Sequence, residues 1–158
     1  MQKLTTWLWF DTEAEEAAEF YTSIFPDSRI TDVTHYGEAG PRPAGMVMTV
    51  SFELFGREFN ALNGGSDNKL EGYGVSFMVD CESQEEVDRY WSKLADGGQE
   101  IACGWVTDRY GVAWQIVPRR LRELLSDPDP DRAQRAMAAM LKMTKIEIEE
   151  LERAAAAA

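Results

Sequence analysis

The sequence predicts an α+β fold of two paired βαβββ modules, each a strand, a helix and three further strands, followed by C-terminal helices. The main observation is an internal repeat, in which Glu15–Tyr21 (EEAAEFY) matches Glu85–Trp91 (EEVDRYW) at an offset of 70 residues. A β-rich segment precedes each copy, and a Ser/Thr-x-x-Glu capping box begins each predicted helix. Several features in one register indicate two copies of one unit. The alternative is an unrelated α+β sandwich whose helices begin alike.

The first module is predicted over residues 1–65. Its opening segment, Leu4–Phe10 (LTTWLWF), is rich in aromatic and β-branched residues, and strand alternation places Trp7 and Trp9 on one face. The capping box Thr12-x-x-Glu15 then begins an amphipathic helix. Three further strands are predicted at Arg29–Tyr36, Met46–Leu54 and Arg57–Asn63.

The second module is predicted over residues 72–118, and a helical extension follows over residues 119–158. A buried strand at Gly74–Asp80 precedes the capping box Ser83-x-x-Glu86, which begins the second helix. The remaining strands of this module are predicted at Glu100–Val106 and Val112–Val117. The extension has helical patterns at Leu121–Leu125, from Asp129-Pro130 onward and at Ile146–Ala157.

Val112–Val117 is the most informative strand, because it is apolar throughout except for Gln115 near its centre. A strand that is apolar on both faces is buried on both faces. An unpaired buried amide costs about 1–3 kcal/mol, so Gln115 needs a hydrogen-bond partner or faces a cavity.

Composition excludes several classes of function. The chain has 158 residues, enough for one ordinary domain, and its net charge of −12 disfavours nucleic acid and anionic membranes as partners. No apolar run approaches the roughly 20 residues that span a bilayer, and the N-terminus lacks a signal-peptide pattern, so we expect a cytoplasmic protein. Cys81 and Cys103 have no metal-binding spacing, and the single histidine, His35, excludes a mechanism with two histidines in one chain.

Four segments carry a resemblance to a known family: WLWFDTEAEEAAEFYTSIFPDS, MTVSFELFGREFNALNGG, VSFMVDCESQEEVDRYWSKL and GWVTDRYGVAWQIVP. The tail LLSDPDPDRAQRAMAAMLKMTKIEIEEL is similar as well. With these segments the chain resembles the PhnB-like branch of the vicinal oxygen chelate superfamily, which includes glyoxalases, bleomycin resistance proteins and extradiol dioxygenases. The resemblance implies two βαβββ modules whose sheets curl round a central cavity. This branch is often labelled demethylubiquinone methyltransferase.

The resemblance also implies four metal-ligand positions, which hold two His and two Glu in metal-dependent members. In this chain they fall near Thr5 and on Asn63, Gly74 and Gln115. Two amide oxygens do not make a catalytic divalent-metal site, which needs anionic or imidazole donors. We therefore expect no metal and no other cofactor.

Strand alternation anchored on those positions predicts the lining of a metal-free cavity. The predicted lining residues are Trp7, Trp9, Phe59, Asn63, Ser76, Met78, Ala113 and Gln115. Aromatic walls with two amides suit a small, partly apolar molecule. The alternative is that Trp7 and Trp9 fill the space and leave no pocket.

Three classes of function stay open. The first is a PhnB-like protein that binds a small, partly apolar molecule without metal. The second is a metal-independent enzyme of lyase, isomerase or transferase type, for which no catalytic residue is assigned. Its titratable candidates are His35, Cys103, Asp108 and Tyr110.

The third class is the methyltransferase of the branch label. Against it, Gly64-Gly65 lacks the strand–loop–helix setting of a nucleotide-binding loop. The resemblance also implies a homodimer, to which an apolar stripe of Met137, Met140 and Leu141 would contribute. The ligand or substrate cannot be named from the sequence.

Overall fold

A computed structural model describes residues 2–157. Met1, the first residue of the predicted first module, and Ala158, the last residue of the predicted extension, lie outside the described residues. The chain divides into two compact units, Met1–Leu70 and Glu71–Ala158. Each unit contains a strand, a helix and three further strands in that order, and the second unit ends in three more helices. The predicted α+β fold of two βαβββ modules with C-terminal helices is confirmed.

The first unit is a four-stranded sheet with one helix. Its elements are β1 (Thr6–Phe10), α1 (Ala14–Ile24), β2 (Arg29–His35), β3 (Val47–Leu54) and β4 (Arg57–Asn63). The strand order is β1-β4-β3-β2, in which β1 is parallel to β4 and the other neighbours are antiparallel. The β3–β4 hairpin turns at Phe55 and Gly56, whose φ values of 50° and 72° suit the two positive-φ positions of a type I′ turn.

The second unit repeats this topology. Its elements are β5 (Phe77–Cys81), α2 (Gln84–Ala95), β6 (Gln99–Glu100), β7 (Trp105–Thr107) and β8 (Ala113–Pro118). The strand order is β5-β8-β7-β6, and β5 is parallel to β8 as β1 is to β4. The internal repeat in the sequence therefore corresponds to a repeat in structure.

The single strand predicted over Glu100–Val106 is wrong, because a turn divides this segment. The segment Glu100–Val106 folds back on itself, so that Glu100 of β6 pairs with Val106 of β7. The reversal occurs at Cys103 and Gly104, whose φ values of 60° and 83° are left-handed and incompatible with an extended strand.

Each helix packs an apolar stripe on one face of its own sheet. In the first unit Tyr21 of α1 is fully buried and stacks on Phe52 of β3, with ring centroids 6.2 Å apart. The buried stripe of α2 comprises Val87, Tyr90, Trp91 and Leu94. Because the opposite face of each sheet has no such helix from its own βαβββ unit, that face is where a ligand surface can form.

The two predicted capping boxes differ in outcome. The cap at Ser83 is confirmed, because Ser83 Oγ accepts from the Glu86 N–H at 3.2 Å, whereas Glu86 Oε2 accepts at 2.8 Å from the N–H of Glu82, the residue before the cap. The box at Thr12 is wrong, since α1 begins after Glu13 without a side-chain cap from this residue. Instead, Asn63 at the end of β4 accepts from the Ala14 N–H at 2.8 Å.

The C-terminal extension is helical, as predicted, with α3 (Arg119–Leu125), α4 (Pro130–Met140) and α5 (Ile148–Ala156). Asp129 caps α4 through a 3.0 Å bond from the Asp131 N–H, and Pro130 occupies the first helical position. The three helices share one apolar cluster with the end of β8, comprising Val117, Leu121, Leu124, Ala136, Met143, Ile146, Leu151 and Ala155. Within residues 2–157 no helix combines the length and apolar character needed to cross a membrane.

Candidate functional site

The face of the first sheet opposite α1 carries both tryptophans of β1. Strand register aligns Trp7 with Asn60 and Trp9 with Leu62. We call the surface formed by Trp7, Trp9, Asn60 and Leu62 the Trp face. Trp7 is 55% exposed, so a large apolar ring there is available to a partner or ligand. This placement of Trp7 and Trp9 on one face follows the predicted alternation.

Phe59 and Asn63 lie on the opposite side of that sheet, which corrects the predicted shared lining. Side chains alternate along β4, so the neighbours of Asn60 and Leu62 point toward α1. Phe59 stacks on Phe52 at 5.5 Å between ring centroids, inside the core. The prediction that Phe59 and Asn63 share a face with the tryptophans is therefore wrong. A shift of one residue along a strand moves a side chain to the other face.

Asn63 is a structural bridge. Its side chain is 1% exposed, its Oδ1 accepts from the Ala14 N–H at 2.8 Å, and its Nδ2 donates to the Val47 carbonyl at 3.0 Å. The same residue's backbone carbonyl accepts from Tyr36 Oη at 2.7 Å. The side-chain amide of Asn63 thus joins the start of α1 to β3, and its backbone carbonyl holds Tyr36, which follows β2.

Trp9 is fixed by the chain that follows β4. Its indole Nε1 donates to the Gly65 carbonyl at 2.8 Å. A Cβ at Gly64 would approach the Trp9 ring to 2.3 Å, so a glycine is needed there for the ring to lie against the backbone. The Trp9 ring is therefore fixed in position on the Trp face, whereas the Trp7 ring projects to solvent.

The second sheet brings Ser76, Met78 and Gln115 together as predicted. Gln115 of β8 aligns with Met78 of β5 on one side and with Trp105 of β7 on the other. Gln115 Nε2 donates to Ser76 Oγ at 2.9 Å. We call the surface formed by Ser76, Met78, Trp105 and Gln115 the Gln115 face. Ala113, which the sequence also placed here, shares the strand parity of Gln115 but is buried.

The Gln115 face is partly apolar and open. Met78 is 47% exposed, and Trp105 is half-buried beneath Tyr73, whose ring meets it edge-on at 6.1 Å. Val75 and Tyr73 are exposed beside the start of β5. The face thus combines a thioether, an indole, a hydroxyl and one amide, and Tyr73 adds a second aromatic residue beside it.

The Gln115 amide has one polar atom to spare. Its Nε2 is bonded to Ser76, and within residues 2–157 no donor to its Oε1 is found. No fully buried side-chain nitrogen or oxygen of the described residues lacks a partner, so this Oε1 is accessible from solvent. A serine hydroxyl both donates and accepts, so either orientation of the amide leaves one polar atom available to a ligand.

The four metal-ligand positions do not supply a metal's donor set. In the first unit Thr5 is a hydroxyl and Asn63 has its amide bonded to the protein. In the second unit Gly74 has no side chain and Gln115 offers one neutral oxygen. Among the described residues no group of three His, Cys, Asp or Glu could hold a metal ion. The residues present do not fit a divalent metal, which needs several anionic or imidazole donors.

Asp108, a candidate acid or base, is committed to the fold. It is 3% exposed, and its Oδ1 accepts from the backbone N–H groups of Tyr110 and Val112 at 2.8 and 3.1 Å. Its Oδ2 accepts from Trp114 Nε1 at 2.8 Å. The carboxylate closes the turn before β8 and anchors the indole of Trp114 in that strand.

The other titratable candidates lie in different elements. His35 is exposed at the end of β2 in the first unit. In the second unit, Cys103 is half-buried in its left-handed turn, and Tyr110 lies in the turn closed by Asp108. No catalytic role is assigned to any of the three.

The two thiols are expected to differ sharply in reactivity. Burial, with added repulsion from Glu86 and Asp80, raises the pKa of Cys81 to about 12, so this thiol stays protonated at neutral pH. Cys103 is only half-buried.

Ellman's reagent on the native protein at pH 8 should titrate one thiol per chain quickly. Cys103→Ser should remove that phase and Cys81→Ser should keep it; two equally fast thiols would contradict the burial of Cys81.

The fold defines an α+β protein of two βαβββ units, each with one sheet face that its own helix leaves open. A family model described as 3-demethylubiquinone-9 3-methyltransferase matches residues 2–117. The chain therefore belongs to this PhnB-like family, as the sequence resemblance indicated. Residues 118–158, which hold α3 to α5, lie beyond the match.

Two solved structures are similar. A PhnB protein from Bacillus cereus, provisionally described as a 3-demethylubiquinone-9 3-methyltransferase, shares 36% identity with a TM-score of 0.66, over 74% of this chain and 99% of its own. A protein from Pseudomonas aeruginosa shares 23% identity with a TM-score of 0.61, over 75% of this chain and 98% of its own, and supports the fold alone. No curated protein matches the chain significantly.

Proposed function

We propose that the protein binds a small, partly apolar molecule without a metal, and that the Gln115 face takes part in binding. The observation that carries the proposal is the accessible polar atom of Gln115, surrounded by the apolar surfaces of Met78 and Trp105. A few fixed polar groups within an apolar surface are typical of small-molecule sites. The ligand that fits has a flat apolar body and one hydrogen-bonding group.

The Trp face supports the same ligand class. Trp7 offers an exposed ring and Trp9 a ring held by its bond to Gly65. Aromatic rings provide large apolar contact area in defined geometry. The alternative that both tryptophans only fill space fits Trp9 better than Trp7, because the Trp7 ring is more than half exposed.

Binding through Gln115 can be tested with N-phenyl-1-naphthylamine, a neutral fluorescent probe with a flat apolar body and one N–H donor. We expect saturable fluorescence enhancement with the native chain and about five- to tenfold weaker binding with Gln115→Ala, since one hydrogen bond contributes about 1 kcal/mol. Fluorescence titration at fixed protein concentration measures the dissociation constant.

The matched control is Gln134→Ala, because Gln134 is an exposed glutamine on α4, away from the Gln115 face. Its dissociation constant should equal that of the native chain. Equal weakening by the two variants, or no weakening by Gln115→Ala, would remove Gln115 from the site.

Methyl transfer is the second candidate, and the family description of the matched model favours it. The chain's own glycine pair argues against a nucleotide-type site, because Gly64-Gly65 follows β4 and the next element is β5 rather than a helix. Isothermal titration with S-adenosylmethionine separates the two proposals. Micromolar binding would favour the methyltransferase, and no heat of binding would favour the binding protein.

A metal-independent enzyme of lyase, isomerase or transferase type is the remaining alternative, with no catalytic residue assigned.

We also propose a cytoplasmic homodimer. The exposed side chain of Leu141 supports an intermolecular contact, because it is 61% exposed at the end of α4, next to the partly buried Met140. Light scattering at micromolar concentration should give twice the chain mass, and a single-chain mass would refute the dimer.

A further inference from the structure

Within the second unit, one of the contacts between the C-terminal helices and the preceding βαβββ elements is at a turn. Residues 143–147, in the connector between α4 and α5, run beside the left-handed turn that separates β6 from β7. The Cys103 N–H donates to the Met143 carbonyl at 2.8 Å, and the Gly104 N–H donates to the Thr144 carbonyl at 2.7 Å. Two consecutive N–H groups of the turn therefore donate to two consecutive carbonyls of the connector.

The connector and the turn also fit closely. A Cβ at Gly104 would lie 2.9 Å from the side chain of Ile146 and 3.0 Å from the carbonyl of Ile116. Ile146 is fully buried in the apolar cluster of the extension. A non-glycine residue with positive φ is strained, so Cys103 depends on outside bonds, and the connector provides one of them.

A second set of contacts fastens the connector to α2. Gln84, the first residue of α2, donates from Nε2 to the Ile146 carbonyl at 3.0 Å and accepts at Oε1 from the Ile148 N–H at 2.8 Å. Lys145 Nζ pairs with Asp88 Oδ1 at 2.5 Å. Gln84 therefore caps the first N–H of α5 and holds the connector between α2 and the turn.

The turn leads directly into the Gln115 face. Trp105 follows Gly104 without an intervening residue and aligns with Gln115. The Gly104 carbonyl also accepts from the Ile116 N–H at 2.8 Å, which links the turn to the residue after Gln115. A change in the conformation of the turn thus reaches Trp105 through a peptide bond and reaches β8 through the hydrogen bond between Gly104 and Ile116.

We infer that residues 143–147 are a positioning element for the ligand surface, which fixes the Cys103–Gly104 turn and thereby the ring of Trp105 beside Gln115, with Gln84 as the positioning residue that holds this element. This inference builds on the proposed function of the Gln115 face. It gives the extension beyond the family match a role in shaping the site as well as in stabilising the fold. The acidic α2 residue Asp88 contributes through its ion pair with Lys145.

The test is Gln84→Ala in the full chain, with Ser92→Ala as the matched control, since Ser92 is an exposed polar residue of the same helix. Hydrogen exchange of the Cys103 and Gly104 amides should rise about tenfold in Gln84→Ala, as expected when a local opening loses one or two hydrogen bonds. The Trp105 indole and Gln115 side-chain amide signals in ¹H–¹⁵N spectra should shift, while those of Ser92→Ala stay unchanged.

The NMR measurements need no ligand, so they separate this inference from the proposed function. Faster exchange at the turn with unmoved Trp105 and Gln115 signals would overturn the positioning role and leave only an anchoring contact. Unchanged exchange at the turn would overturn the inference altogether. Gln84→Glu keeps the acceptor for the Ile148 N–H but sets a carboxylate against the Ile146 carbonyl and Asp88, so it should also speed exchange at the turn; exchange as slow as in the native chain would show that the Nε2 bonds of Gln84 do not hold the turn.

Discussion

Asp108→Ala is expected to lower the free energy of unfolding by about 3 kcal/mol or more, because three donors, two of them buried, lose their acceptor at once. The carboxylate receives two backbone N–H groups and the Trp114 indole in a site that is 3% exposed. The measurement is urea unfolding followed by tryptophan fluorescence. Since the turn leads into β8, we expect this single change to have the largest effect on stability.

Two variants serve as controls for Asp108. Asp108→Asn keeps one oxygen but sets an amide N–H against the Trp114 Nε1–H or the backbone donors, so it should also destabilise, by a smaller amount. Asp67→Ala removes an exposed aspartate and should change the free energy of unfolding by less than about 0.5 kcal/mol. A loss below about 1 kcal/mol for Asp108→Ala would contradict its structural role.

Asn63→Ala is expected to lower the free energy of unfolding by about 2–4 kcal/mol. The change leaves the Ala14 N–H and the Val47 carbonyl unpaired inside the protein, and each costs about 1–3 kcal/mol. The same urea titration checks the result, and far-ultraviolet circular dichroism tests whether α1 retains its helix content.

Asn68→Ala is the matched control for Asn63, because Asn68 is exposed in the loop after β4. It should leave stability within about 0.5 kcal/mol of the native chain. Asn63→Asp keeps the acceptor for the Ala14 N–H but sets an oxygen against the Val47 carbonyl, so its stability should lie below that of the native chain. A stable Asn63→Ala variant would show that water replaces the amide and would reopen Asn63 as a ligand residue.

Much of the fold could be predicted from local pattern. The repeat at Glu15 and Glu85 and the alternation of β1, β3 and β8 depend on side-chain periodicity, which the sequence shows directly. The start of α1 could not be found in this way. Thr12-x-x-Glu15 matches a capping box, but Asn63, 49 residues away along the chain, takes the N–H of Ala14.

The reversal inside Glu100–Val106 was also hidden. Cys103 is not a residue that normally marks a left-handed turn, and the carbonyls that hold its turn come from Met143 and Thr144, 40 residues later. Residues that far apart in the chain leave no local pattern. Gly104 was the one available indication, since glycine within a predicted strand is typical of a bend.

The candidate site was predicted in part. Gln115, Met78 and Ser76 do share a face, because the ligand positions Gly74 and Gln115, on which the alternation was anchored, have the parity that the strand register gives β5 and β8. Phe59 and Asn63 were placed on the wrong face relative to Trp7, because the parity of β4 was set from an assumed ligand position rather than from β4 itself. Trp105 was not among the predicted lining residues, yet it aligns with Gln115 in the strand register and belongs to the Gln115 face.

The most direct test of small-molecule binding at the Gln115 face is a ¹H–¹⁵N titration of the native chain with N-phenyl-1-naphthylamine. We predict saturable shifts of the Gln115 side-chain amide, the Trp105 indole and the Met78 amide, with little change at Val79 and Ile116, whose side chains point to the α2 side. Shifts confined to α3–α5, or none that saturate, would contradict the assignment of this face as the binding surface.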